Sequence, residues 1–139
     1  MGDRGQVHIK MPDWDAQTDT RRMEDGEWLY THWGASNLPT VGAEGLAQGE
    51  PRWGDPEYLA RIIFERMLED ASSMETGYGI GTERHGDVWR VVEIDTEMKE
   101  VIVRDVSAID MSGETEEVYD FEHFIEDHAP SVEPVGRYS

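Results

Sequence analysis

The sequence predicts a single α+β domain, in which an antiparallel sheet of about five strands packs against one main amphipathic helix, residues 55–70, and a short C-terminal helix. Three observations support this fold class. Apolar and polar residues alternate in several segments, which indicates half-buried strands. The stretch DPEYLARIIFERMLED instead repeats its apolar residues at helical spacing. The chain has 139 residues, enough for one hydrophobic core.

Five segments carry strand patterns, and they span residues 6–11, 27–33, 77–82, 87–94 and 100–106. The last three are expected to form a meander, with turns near residues 85–86 and 96–99. Residues 12–26 are acidic and polar, without helical periodicity, and are predicted to form a mobile loop. The domain is expected to span residues 1–129, followed by a loose tail over residues 130–139.

The main helix has the clearest signals in the chain. Asp55 is the expected N-cap and Pro56 suits the first helical position. Its apolar stripe, which we expect at the centre of the core, consists of Tyr58, Leu59, Ile62, Ile63 and Met67.

Two further helices are predicted on either side of it. Asn37 can cap a helix over residues 38–48, although Gly42 and Gly45 each cost about 1 kcal/mol of helix stability relative to Ala. Asp120 can cap a short helix, with Tyr119 packing onto Phe124 as a hydrophobic staple. Its inward-facing residues are Phe121, Phe124 and Ile125.

The composition excludes several classes of function. Acidic residues number 31 against 12 basic ones, for a formal net charge of −19, and this surface repels nucleic acid and anionic lipid. The chain contains no cysteine, so it has no disulfide, thiolate metal site or cysteine nucleophile. No apolar run approaches the ~20 residues of a membrane-spanning helix, and we expect a cytoplasmic protein without membrane contact.

The basic residues are nearly all arginine, with lysine only at Lys10 and Lys99. Acid excess with scarce lysine is typical of proteins from halophiles that accumulate salt. Above 1 M salt the Debye length is under ~3 Å, so that surface carboxylates hardly repel one another. The composition therefore predicts a halophilic source.

Four motifs occur in order along the chain: MGDRGQV, LYTHWGASNLP, RWGDPEYLARIIFERM and ETGYGIGT. Together they resemble a family of small proteins encoded by bacteria, haloarchaea and their tailed viruses. The resemblance covers roughly residues 1–106 and part of the last helix. This chain departs from the family at Gly42, at Gly45 and in its long acidic segment. The resemblance implies a viral or mobile-element origin and supplies no catalytic residues.

The stretch EWLYTHWGASNLP contains the most suggestive side chains, His32, Trp33 and Ser36. Gly34 and Ser36 match the start of a nucleophile elbow, G-x-S-x-G, between a predicted strand and a predicted helix. Leu38 stands where the last glycine is required. The favoured interpretation is a packed corner in which Trp28 or Trp33 lies in the core and Ser36 or Asn37 caps the following helix.

Two cation sites are conceivable and neither has a supporting motif. His8 and His32 lie on predicted strands, but the chain lacks the HxH and HExxH spacings. A calcium-loop template is matched in part, without the glycine that its turn requires, by Asp13, Asp15, Gln17, Asp19 and Glu24. We therefore predict no metal and no cofactor.

Gly77, Gly79 and Gly81 fall on one face of a predicted strand and leave that face without side chains. We expect the chain's own helix or an indole ring to cover this face, and a ligand is the alternative.

The favoured hypothesis is a non-enzymatic interaction or accessory protein with an unknown protein partner. One alternative is a small hydrolase or ligand binder that uses His32, Trp33, Ser36 and the glycine face. Another is an acidic DNA mimic that blocks a basic partner.

Overall fold

The computed structural model describes residues 3–15, 20–32, 34–69, 78–106 and 114–130. Their elements, in chain order, are β1 Gly5–Asp15, β2 Thr20–Thr31, α1 Leu38–Gln48, α2 Pro56–Glu69, β3 Tyr78–Gly81, β4 Arg90–Asp95, β5 Glu100–Val106, β6 Glu114–Asp120 and α3 Phe121–His128. The α+β class is as predicted.

The six strands form one mixed sheet in the order β3-β2-β1-β4-β5-β6. β1 pairs with β4 in parallel, with Gly5 opposite Arg90 and Ile9 opposite Ile94, and the other neighbouring pairs are antiparallel. The expectation of about five antiparallel strands is therefore corrected. β4 runs parallel to β1 because the chain leaves β3 at one sheet edge and crosses two strands before it enters the sheet again.

The predicted meander is also corrected. β3 pairs with β2 through Leu29 and Ile80, at the opposite end of the sheet from β5. The meander consists of β4, β5 and β6 instead. β6 was not predicted, because its segment, ETEEVYD, is rich in glutamate, which strands disfavour.

Most of the predicted loop at residues 12–26 is strand. β1 and β2 form a long hairpin in which Pro12 lies opposite Met23 and Asp15 lies opposite Thr20. The register shifts between Lys10 and Pro12, a position where a residue without a backbone N–H is tolerated. Acidic composition suggested a loop, whereas the backbone pairing extends the central strands.

The hydrophobic core lies between one sheet face and the three helices. α1 is its central helix, since eight of its 11 residues are buried. A methyl group added at Gly45 would lie 2.9 Å from Ile63 Cγ1 and 3.0 Å from Ile63 Cα, so α1 and α2 are in close contact. α2 packs across the sheet as expected. Leu59, Ile63 and Met67 of its predicted apolar stripe are buried, whereas Tyr58 is 40% exposed.

The C-terminal helix confirms its predicted signals. The Asp120 carboxylate accepts a hydrogen bond of 2.8 Å from the backbone N–H of His123, as an N-cap does. Phe121, Phe124 and Ile125 are buried. The Tyr119 ring lies 5.4 Å from that of Phe124, centroid to centroid, so the staple is present.

Candidate binding site

The corner between β2 and α1 is held by two networks. In the first, Arg4 Nε donates to His32 Nδ1 at 3.3 Å, and the Tyr30 hydroxyl lies 3.4 Å from the same nitrogen. In the second, the backbone N–H of Ser36 donates to Asp3 at 2.8 Å, and its carbonyl accepts from Arg90 at 3.3 Å.

Both networks join this corner to residues that directly precede β1, Arg4 in the first and Asp3 in the second. Burial opposes ionisation of Asp3, but hydrogen bonds from Ser36 and from the Trp89 indole lower its pKa. Asn37 stands at the N-cap position of α1 without a capping hydrogen bond from its side chain, and Trp33 lies outside the described residues.

The two histidines of the conceivable metal site are far apart along the sheet. His8 lies directly opposite Trp28 on the neighbouring strand. His32 comes four residues after Trp28, so the two histidines are separated by roughly 13 Å along the strand direction. Within the part of the chain that the structure describes, no group of three or more His, Asp or Glu side chains could hold a metal ion.

The calcium template does not form a calcium loop over its described residues. Asp13 and Asp15 lie in β1, and Glu24 lies in β2, where the backbone is extended. Its remaining members, Gln17 and Asp19, lie outside the described residues.

A buried polar cluster occupies the sheet face that the helices do not cover. Glu93 Oε1 forms an ion pair with the Arg104 guanidinium at 2.7 Å, and Glu93 Oε2 lies 3.5 Å from Lys10 Nζ. The imidazole of His8 stacks on the Trp28 indole at 3.8 Å, with 8° between the planes. His8 Nδ1 lies 3.4 Å from Glu93 Oε1.

Neighbouring polar and basic groups favour the ionised form of the Glu93 carboxyl. Burial alone would raise the pKa of Glu93, but His8, Arg104 and Lys10 lower it to about 2. The cluster was not predicted from the sequence, because its members come from four strands, β1, β2, β4 and β5. The only sequence signal is that His8 and Lys10 share the polar face of β1.

The glycine face is open in the described structure, which corrects the expectation that a helix or indole covers it. Gly79 lies opposite Tyr30 and Gly81 opposite Trp28, and a methyl group added at either glycine would meet nothing within 4 Å. The helices pack on the other face, and the Trp28 ring stacks toward β1. Gly77 lies outside the described residues.

On the helix side, an open groove of about 570 Å³ runs between α2 and the β2–β3 edge of the sheet. Its lining consists of Glu27, Leu29, Glu57, Ala60, Arg61, Phe64 and Ile80. Leu29 forms the floor and is only 1% exposed, while Ile80 on the terminal strand is 62% exposed.

The rim of the groove is acidic. Glu27 and Glu57 are at the rim. Arg61, the one cation among the described lining residues, is paired with Glu65 on the next turn of α2. The Arg61 guanidinium also lies over the Tyr58 ring, at 4.9 Å from its centroid. The groove therefore combines an apolar floor with a net negative rim.

Fold and groove together define an α+β protein with a mixed six-stranded sheet and an apolar groove at one sheet edge. No protein-family model, curated protein or solved structure matches this chain. The family resemblance of its four motifs therefore stays a prediction. None of the described helices is long and apolar enough to cross a membrane.

Proposed function

We propose that this chain is a non-enzymatic interaction protein that binds an extended segment of a partner protein in the groove between α2 and β3. One observation carries the proposal: the apolar groove adjoins β3, the terminal strand of the sheet that the described residues form. An extended peptide can add to such an edge through backbone hydrogen bonds, while its alternate side chains enter the neighbouring pocket.

The side chains on both walls support this binding mode. Ile80 projects from β3 on the helix side, because it lies opposite the core residue Leu29. Phe64 of α2 lines the facing wall. A peptide strand beside β3 would lie about 4.8 Å from it, with every second side chain directed at α2. Apolar side chains at those positions would bury the exposed part of Ile80.

Charge selects the partner. A net charge of −19 and an acidic rim favour a segment that carries Lys or Arg beside its apolar residues. A second copy of this chain is disfavoured because it carries the same −19 charge. The partner is therefore a basic, apolar segment in extended conformation.

The proposal can be tested with random decapeptides displayed on phage and the full chain as bait. Enriched peptides should alternate apolar residues with other residues and contain Lys or Arg. A labelled peptide from this selection is then titrated against variants, with fluorescence anisotropy as the readout. Ile80→Glu and Phe64→Ala should each weaken binding by about tenfold or more.

Val118→Glu is the matched control, since Val118 has nearly the same exposure on the opposite terminal strand and should keep full affinity. Failure to enrich any peptide, or equal losses in Ile80→Glu and Val118→Glu, would overturn the proposal.

The acidic-mimic alternative rests on the corner formed by β6 and α3. Its exposed carboxylates are those of Glu116, Glu117, Asp120, Glu122, Glu126 and Asp127. Glu116 is paired with Arg104 at 2.9 Å, so part of this charge is neutralised within the chain. Asp120 Oδ2 lies 2.7 Å from His123 Nδ1. The partly paired carboxylates therefore support a DNA mimic less strongly than the groove supports peptide binding.

A further inference from the structure

From the way charge and apolar surface vary along the groove, we infer that the partner segment lies antiparallel to β3 and has the pattern basic, any residue, apolar, any residue, apolar. The inference rests on the proposed function and names the class of segment that the groove accepts.

The relative chain directions of α2 and β3, which form the two walls of the groove, follow from the residues that line its neighbourhood at each end. Glu57, near the start of α2, lines the groove together with Glu27, which directly precedes the residue opposite Gly81. Met67, near the end of α2, lines a small cavity with Thr31 and Tyr78. α2 therefore runs in the same direction as β2 and opposite to β3.

The two ends of the groove differ in chemistry. The end at the start of α2 carries Glu27 and Glu57, and the following cation, Arg61, is paired with Glu65. Further along α2 the groove is lined by Phe64 and Ile80. Leu68, one turn beyond Phe64 and on the same side of the helix, is 44% exposed. The groove is acidic at one end and apolar at the other.

An added strand that is antiparallel to β3 makes the more stable ladder and runs in the direction of α2. Its first groove-facing residue then lies at Glu27 and Glu57, where a basic side chain is favoured. The next groove-facing residues follow at roughly 6.7 Å intervals. They lie over Ala60, which leaves room for an apolar side chain, and then beside Phe64.

Two peptides of identical composition test the direction. The forward peptide reads Lys-Thr-Val-Thr-Val-Thr and the reverse peptide reads Thr-Val-Thr-Val-Thr-Lys, both labelled, with acetylated and amidated termini so that only the lysine is charged. In dilute buffer the forward peptide should bind about tenfold more tightly. Molar KCl should reduce this preference, because it screens the lysine from the rim.

Charge reversal isolates the acidic end. The double variant Glu27→Lys, Glu57→Lys should lose the preference for the forward peptide and bind tightly a forward peptide in which Glu replaces Lys. The control variant Glu126→Lys, Asp127→Lys makes the same change of charge on exposed positions of α3 and should retain the original preference.

The outcomes separate this inference from the proposed function. Equal affinity for both peptides, together with loss of binding in Ile80→Glu, contradicts the direction and leaves the groove function standing. Binding that Ile80→Glu and Val118→Glu weaken alike contradicts both. A dimer in sedimentation that Ile80→Glu dissociates would replace the peptide by a second copy of the chain and overturn the inference.

Discussion

Ile80 and Val118 lie on the two terminal strands of the described sheet, on opposite faces, and the two residues are 62% and 61% exposed. Their nearly equal exposure makes them a matched pair of surface positions, one beside the groove and one away from it. Replacement of either by Glu should change the free energy of unfolding by less than about 0.5 kcal/mol, because each side chain is mostly in water.

Leu29 is directly opposite Ile80 and is buried. Leu29→Ala should lose about 2 to 5 kcal/mol. Urea unfolding followed by circular dichroism measures all three variants. A core-sized loss in Ile80→Glu would mean that the folded chain itself fills the groove.

Two glycines of α1 should respond to alanine with opposite signs. At Gly42 the added methyl group would lie 3.8 Å from Val92 Cγ1, an ordinary contact, so Gly42→Ala should stabilise the protein by about 0.5 to 1 kcal/mol through helix propensity. At Gly45 it would meet the backbone of Ile63 at 3.0 Å. Overpacking there costs about 1 to 3 kcal/mol, so Gly45→Ala should destabilise. Thermal unfolding of both variants decides this, and equal shifts would contradict the close approach of α1 and α2.

Glu93 should make stability depend on pH in the acid range. Its pKa falls from an ordinary 4.5 to about 2 in the folded protein, so its contribution is complete above about pH 4.5 and is lost as the pH falls toward 2. The contribution is on the order of 3 kcal/mol. Glu93→Gln should lose less stability than the unmodified chain between pH 5 and pH 2 in urea unfolding. Identical slopes for the two proteins would contradict the ion pair with Arg104.

Stability should rise with salt, as the proposed halophilic source requires. At 0.1 M salt the net charge of −19 repels itself over about 10 Å, and molar KCl removes most of this repulsion. Thermal midpoints in dilute buffer and in concentrated KCl measure the effect. The variant Glu126→Lys, Asp127→Lys adds four charge units to −19, leaving −15, and should need less salt. Equal midpoints in both buffers would contradict the prediction of a halophilic source.

Local signals predicted much of the fold. Asp120 caps α3 because its carboxylate reaches an N–H three residues away, and the bounds of α2 at Pro56 and Glu69 follow from similarly local features. β5 occupies residues 100–106, as its alternation predicts. Such features depend on neighbours within a few residues, which are visible in the sequence.

Long-range pairing decided the rest. The parallel contact between β1 and β4 joins Gly5 to Arg90, and no local pattern distinguishes a parallel neighbour from an antiparallel one. β6 is held in the sheet by its ladder with β5 and by the ion pair between Arg104 and Glu116, which outweigh its weak strand propensity. The candidate site is the groove and not the predicted His32–Ser36 corner for the same reason. The groove is formed by α2 and the β2–β3 edge, which are brought together only in the folded chain.

Composition and periodicity over a few residues are enough to predict the α+β class, the helices and most strands, the absence of cysteine chemistry and the acidic surface. The strand order, the central place of α1, the buried cluster around Glu93 and the groove at Ile80 appear only in the folded chain. Each of these is a contact between segments that are distant along the chain. Their free energy depends on how the surfaces fit, which periodicity does not encode.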